Sequence, residues 1–257
     1  MTPRPEGAAP LSVWPVRTPG WPEGPIVWHV GLRLDAARRA ACLTVLDRAE
    51  TLRADRFVQA RDRDRFVASH AALRLILARA LGTDPGTLTF ATSRFGRPSL
   101  AGREAGSLDF NLSHSGEHAL VGLSATARIG VDLEVPRPMP DALRIARAHF
   151  HAREIDALET RGSEVEAAFY ACWTAKEAFV KAVGAGLSRP LAGFAVAVPP
   201  AAPALLAVDG ADGPASAWTL DALAPAPDTV AAVALASPRA TIARAALPPD
   251  WADRLGA

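Results

Sequence analysis

The chain has 257 residues, 49% hydrophobic and 21% charged, enough to bury one large core or two smaller ones. A net charge of +1, few aromatics and no lysine-rich tract argue against an extended nucleic-acid surface or a basic membrane-binding face. Two cysteines, Cys42 and Cys172, far apart in sequence, exclude a disulfide framework and a short-spaced zinc site, and point to a reducing cytoplasm.

Residues 1–25 read as a mobile, Pro/Gly-rich leader, without the continuous apolar run of a signal peptide or membrane span. A first strand is expected over Ile26 to Leu32. Helical segments follow in 36–60, with Leu43, Leu46, Leu52 and Phe57 as apolar anchors, and a helix from Asp62 to Leu81 is stopped by Gly82. Leu108, Phe110 and Leu112 alternate with Asp109, Asn111 and Ser113. A turn at Ser115-Gly116-Glu117 leads to a strand over Ala119 to Ser124, and a further strand runs from Ile129 to Val135.

Pro136, Pro138 and Pro140 divide the chain into an N-terminal half, 26–135, and a C-terminal half, 136–236, leaving a tail over 237–257. The second half opens with a helix over 142–160 and a stronger one from Val165 to Val183, ended by Gly184 and Gly186. Strands are expected near 193–198, 204–208, 216–223 and 229–236. This order predicts an α+β fold of two similar halves in pseudo-twofold arrangement, with the active site in the cleft between them.

Of 28 basic residues only two, Lys176 and Lys181, are lysines, and they stand five residues apart. Lysine is a compact charge on a flexible stem where arginine is a broad planar fork. On the Val165–Val183 helix, Val165, Phe169, Cys172, Val180 and Val183 form an apolar stripe with Lys176 at its centre. A lysine there must find a partner, reach past the stripe to water, or lose its charge. Glu177 and Lys181 form either a functional pair or an ordinary i,i+4 surface pair.

Three more groupings carry chemistry. In Ile129-Gly-Val-Asp-Leu-Glu-Val135, strand alternation puts Asp132 and Glu134 on one face, as either a solvated acidic face or a site for a hard divalent ion such as Mg²⁺. Asp109-Phe-Asn-Leu-Ser-His-Ser115 ends a strand in a polar cluster, where Ser113 and His114 either donate to phosphate or satisfy a turn. Arg53, Arg56, Arg61, Arg63 and Arg65 form a basic stretch, and Arg97, between Gly96 and Pro98, is its best-placed outlier for phosphate. His149 and His151 lack the further ligands of a metal site.

Together, Phe95-Gly-Arg-Pro98, Asn111-Leu-Ser-His-Ser115, Ile129-Gly-Val-Asp-Leu-Glu134 and Trp173-Thr-Ala-Lys-Glu-Ala-Phe-Val-Lys181 resemble the motifs of surfactin-type 4'-phosphopantetheinyl transferases, over roughly residues 50–198. The resemblance implies an enzyme that moves the phosphopantetheine arm of coenzyme A onto a serine of an acyl, polyketide or peptidyl carrier protein, releasing adenosine 3',5'-bisphosphate. It implies Asp132, Glu134 and Glu177 as Mg²⁺ ligands and Lys181 as the contact to the reacting phosphate. Arg53, Arg97, Ser113 and His114 would hold the coenzyme A phosphates, and Glu154 matches an acidic position without a fixed role. The proton acceptor is left between Glu177 and a metal-bound hydroxide. Two positions depart from the pattern: Glu50 stands where a basic residue is expected, and Phe66 where a small polar one is. Both halves of the cleft lie in one chain, so a cytoplasmic monomer with no nucleic-acid or membrane partner is expected. Two rival readings are a Mg²⁺-dependent phosphoesterase acting on coenzyme A or nucleotides, and a non-catalytic module binding coenzyme A or a carrier.

Overall fold

Strand β1 (Ile26–Gly31) is buried on both faces: Ile26, Trp28 and Val30 point into one core and Val27 into another. This computed structural model describes residues 24–210 and 212–255, so the leader assigned to 1–25 lies almost wholly outside the described residues. Helix α1 (Ala36–Val45) begins where the Asp35 carboxylate accepts the Arg38 N–H, and α2 (Arg48–Ala54) where Asp47 and Glu50 form a capping box. The long helix α3 (Ala60–Leu81) stops at Gly82, whose φ of 66° is left-handed. Leu52 and Phe57, expected as anchors, are exposed; Cys42 and Val45 take the buried role instead.

A small hairpin, β2 (Phe90–Thr92) and β3 (Pro98–Leu100), precedes β4 (Asp109–Ser115), β5 (His118–Ser124) and β6 (Ile129–Glu134). Then come α4 (Ala142–His149), α5 (Ala152–Glu159) and α6 (Val165–Val183). The helix expected over 142–160 is thus broken: Phe150 leaves the helical conformation, and His151 caps α5 in a box with Glu154. Short strands β7 (Phe194–Val196) and β8 (Leu205–Val208) pair with each other, followed by β9 (Thr219–Leu223), β10 (Val230–Leu235) and β11 (Ala243–Ala246).

Two sheets organise these elements. The first has the order β11-β1-β5-β4, the second β6-β10-β9. The segment read as a tail returns to the N-terminal half: β11 pairs in parallel with β1, and Trp251 is buried, its indole N–H donating to the Gly31 carbonyl. Helix α3 shares one core with the first sheet, and α6 shares another with Ala232 and Ala234 of the second. A third core joins the sheets, where Val27 and Leu120 meet Ile129, Val131, Leu133 and Val233. The expected α+β class is what the chain adopts.

Two glycines set the spacing of these layers. A Cβ at Gly122 would stand 2.9 Å from Val131 Cγ1, so its absence lets the sheets close. A Cβ at Gly130 would stand 2.1 Å from the Ala178 carbonyl oxygen and 2.4 Å from the Ala182 nitrogen. Glycine there lets α6 lie directly on β6, which brings the polar face of that strand to the helix.

Candidate active site

Strands β4 and β6 are the facing edges of the two sheets, and side chains rather than a backbone ladder join them. The Asp109 carboxylate accepts the Ile129 N–H at 2.7 Å, Asn111 Oδ1 the Val131 N–H at 2.9 Å, and Ser115 Oγ the Val135 N–H at 3.1 Å. Every second residue of β4 therefore faces β6, as strand geometry requires. This gives the chain's only asparagine a function: its amide oxygen satisfies a buried donor on a strand edge. Ser113, next in the series, donates to Asp132 Oδ1 at 3.1 Å.

The chemistry gathers where this seam meets α6. Lys181 Nζ donates to Asp132 Oδ1 at 2.6 Å and to Ser113 Oγ at 3.0 Å, closing a triangle of ammonium, carboxylate and hydroxyl. Glu134 lies two residues on, on the same strand face, and accepts from Ser115 Oγ at 3.0 Å. Burial, then the charge of Asp132, raises the Glu134 carboxyl above its ordinary range. Glu177, one turn before Lys181, is raised by burial, Asp132 and Glu134, against the pull of Lys181. Three carboxylates thus crowd one ammonium.

Asp132 is buried, and its Oδ2 has no hydrogen-bond partner. An anionic oxygen in that condition needs a cation. Among the described residues no three acidic, imidazole or thiol groups form a ready-made metal cage. The donor set fits an ion of the Mg²⁺ type, which uses one or two carboxylates and fills its remaining positions with water and substrate oxygens.

Beside this cluster is a basin of positive charge. His114 points to the face of β4 opposite Ser113 and is exposed to solvent. Partial desolvation lowers its pKa, followed by the positive charges of His70, Lys181, Arg65 and Arg53. Four cationic or protonatable side chains around one imidazole make a site for a polyanion. Arg53 is exposed and lies over the Phe66 ring, 5.1 Å from its centroid. Arg65 is held by Glu117 at 2.5 Å, and His70 by Glu50 at 2.8 Å. In the sequence Arg65 is one of a run of arginines and His70 belongs to no motif. Their positions around Phe66 on α3, one residue before and one turn after it, were the available signal.

Both departures from the motif pattern have structural reasons. Glu50 is not presented to a ligand, because its carboxylate accepts from the fully buried Arg74 at 2.7 Å and from His70. Phe66 is a core residue, packed on Phe57 and His70.

Arg97 requires a correction. Arg97 lines the cleft, but its guanidinium donates to the carbonyls of Lys181, Ala182, Phe110 and Ile129 and to the Asp109 carboxylate. Five protein acceptors occupy the N–H groups expected to bind phosphate. Glu154 also turns inward, as the buried partner of Lys176. The cleft between the halves is a cavity of about 670 Å³, lined among others by Phe95, Leu112, Trp173, Glu177 and Lys181.

An ammonium and three carboxylates beside a cationic basin, in a cleft between two α+β halves, define a site for handling a polyphosphorylated substrate. Residues 36–126 match the family model for the N-terminal region of 4'-phosphopantetheinyl transferases, and residues 128–234 match that of the 4'-phosphopantetheinyl transferase superfamily. The chain belongs to that family. It is 37% identical to the 4'-phosphopantetheinyl transferase HetI of a Nostoc species over 212 residues, 82% of this chain and 86% of that protein. A Synechocystis protein with a provisional name of the same kind is 41% identical over 148 residues, 57% of this chain and 60% of that protein. The Sfp enzyme of Bacillus subtilis is 32% identical over 142 residues, 55% of this chain and 61% of that one. No helix among the described residues is long and apolar enough to cross a membrane.

Proposed function

We propose that this chain transfers the 4'-phosphopantetheine arm of coenzyme A to a serine of an apo carrier protein, releasing adenosine 3',5'-bisphosphate. The observation that carries this reading is the contact of Lys181 with Asp132 and Ser113, between the carboxylates of Glu134 and Glu177 and the cations around His114. His114 and Arg53, with Arg65 and His70, would hold the nucleotide phosphates, and Ser113 would donate to the pyrophosphate. Asp132, Glu134 and Glu177 would hold a Mg²⁺ ion, which when bound neutralises pyrophosphate charge and orients its oxygens. Lys181 would place its ammonium on the phosphoryl oxygen that gains charge as the carrier serine attacks. Glu177 lines the same cavity as Lys181 and would either take the proton of the carrier hydroxyl or leave that step to the metal site. Both walls of the cleft come from one chain, which supports action as a monomer. Free thiols at Cys42 and Cys172 support a reducing cytoplasm.

The test is incubation with coenzyme A, Mg²⁺ and an apo carrier domain, followed by mass measurement of the carrier. The expected result is a gain of one phosphopantetheinyl group that disappears when the metal is chelated. Coenzyme A cleavage without a carrier would instead identify a phosphoesterase, and binding without either reaction a non-catalytic module.

A further inference from the structure

The tip of the β2–β3 hairpin is built to deliver one guanidinium across the seam. Gly96 turns with a φ of 86°, and Ser93 fastens Arg97 by accepting its N–H at 3.1 Å. The tip packs on the turn that ends α6: a Cβ at Gly184 would stand 3.0 Å from Arg97 Cδ, and one at Gly186 3.2 Å from the Phe95 carbonyl oxygen. The room for the arginine stem is therefore made by Gly184, which also caps α6 with a φ of 79°.

What the guanidinium holds is specific. The last carbonyls of a helix have no partner within it, and the helix dipole places negative charge there. Arg97 Nη1 takes the carbonyls of Lys181 and Ala182, which belong to that last turn. Its Nη2 takes the Phe110 and Ile129 carbonyls, at 3.3 Å and 3.0 Å, and the Asp109 carboxylate at 2.6 Å. Asp109 Oδ2 also accepts the Ile129 N–H, so one carboxylate serves both the seam and the arginine. Arg128 adds a weaker contact to the Val183 carbonyl at 3.3 Å. The backbone of Lys181, whose side chain touches Asp132, is thereby tied to the β4–β6 seam.

We infer that Arg97 is a positioning residue: with Asp109 it clamps the last turn of α6 to the seam and so fixes the Lys181 ammonium against Asp132, without binding phosphate itself. This rests on the transfer activity proposed above. The clamp needs a planar fork with several N–H groups. A lysine there keeps the charge but presents one ammonium, which cannot span five acceptors on three segments.

The experiment compares wild type with Arg97→Lys, Asp109→Asn and the double variant. Three readouts are taken: steady-state transfer, binding of adenosine 3',5'-bisphosphate, and hydrogen exchange of the α6 C-terminal peptide. For Arg97→Lys, kcat is expected to fall at least about tenfold, as displacement of a catalytic group requires. The coenzyme A KM and the bisphosphate Kd should stay within about twofold. Exchange over the last turn of α6 should quicken by about tenfold while α3 is unchanged. Asp109→Asn should move the same three readouts in the same pattern, and the double variant should fall short of the product of the singles. A bisphosphate Kd weakened about tenfold with unaltered kcat would make Arg97 a phosphate ligand and overturn the clamp. Wild-type exchange and kcat in Arg97→Lys would overturn it equally. If the wild type does not transfer, the functional reading fails first, and the exchange data alone still decide whether the clamp exists.

Discussion

The ammonium of Lys176 lies 2.7 Å from both carboxylate oxygens of Glu154, and neither side chain is exposed to solvent. The Phe194 carbonyl accepts a further bond from the ammonium at 2.8 Å, and the carboxylate accepts the Val196 and His151 N–H groups. This knot ties α6 to α5 and β7.

Removing one partner leaves the other charge buried without compensation. Lys176→Met or Glu154→Gln should therefore lower stability by about 3–5 kcal/mol, measured by urea unfolding. Lys176→Arg keeps the charge but forces a larger group into a filled core, and should lose about 1–3 kcal/mol. A Lys176→Met protein as stable as wild type would show that the ion pair does not form.

Gly130→Ala tests the contact that builds the site. The new methyl group would overlap the backbone of α6 at Ala178 and Ala182, atoms that cannot swing aside as a side-chain tip can. Overpacking of this kind costs about 1–3 kcal/mol or more. The helix must lift from β6, carrying Lys181 away from Asp132, so residual folded protein should transfer slowly as well. Calorimetry alongside the transfer assay separates the two effects. An alanine variant with wild-type melting and rate would contradict the packing.

How much of this was legible beforehand depends on how local the cause was. Helix α6 was readable to its ends, because its apolar period and Gly184 lie in one continuous stretch. The need of Lys176 for a partner was readable too, but not the partner, since Glu154 lies 22 residues away. Periodicity alone runs 142–160 together as one helix and hides the break at Phe150, although His151 and Glu154 carry the spacing of a capping box. Strand β11 has no alternation of its own and exists through its parallel pairing with β1. The polar stripe on β4 was visible, but not that its members serve the edge of β6. Arg97 shows the limit most clearly: an arginine between glycine and proline advertises a cation, while the direction of the guanidinium depends on where α6 ends.

His29 gives the fold a pH dependence whose sign follows from its environment. Its Nε2 lies 3.0 Å from His118 Nδ1, and burial, then the charge of His118, lowers its pKa from 6.5 to about 4, against the pull of Asp228. The unfolded chain thus binds a proton through that interval that the folded chain refuses. Stability is full above the unfolded value and is lost as pH falls through the window, levelling once the folded value is passed. The loss from this group is about 3 kcal/mol. His29→Gln, neutral throughout, should show a shallower decline in urea midpoint between pH 6.5 and pH 4. Parallel curves for the two proteins would refute the burial of a neutral imidazole.

Lys181→Arg keeps the charge and changes its shape. In the folded protein the ammonium sits 2.6 Å from Asp132 Oδ1 and 3.0 Å from Ser113 Oγ, a spacing suited to a compact donor with three rotatable hydrogens. A guanidinium is longer and planar, so it must either displace Ser113 or carry its charge beyond Asp132 into the space where a phosphoryl oxygen and a cation would meet. If the contact to the reacting oxygen strengthens as charge develops, the substitution should reduce kcat by about 10²–10³, the usual effect of removing one such donor. The coenzyme A KM should move far less, because the nucleotide phosphates would bind mainly His114, Arg53, Arg65 and His70, which the substitution leaves unchanged. Stability should change little, since Lys181 is partly exposed and its pair with Asp132 is not the buried knot formed by Lys176. Stopped-time transfer assays over a range of coenzyme A concentrations, with melting curves on the same samples, measure all three quantities. An arginine variant with wild-type kcat would remove Lys181 from the reaction and leave it as a helix-surface ion pair.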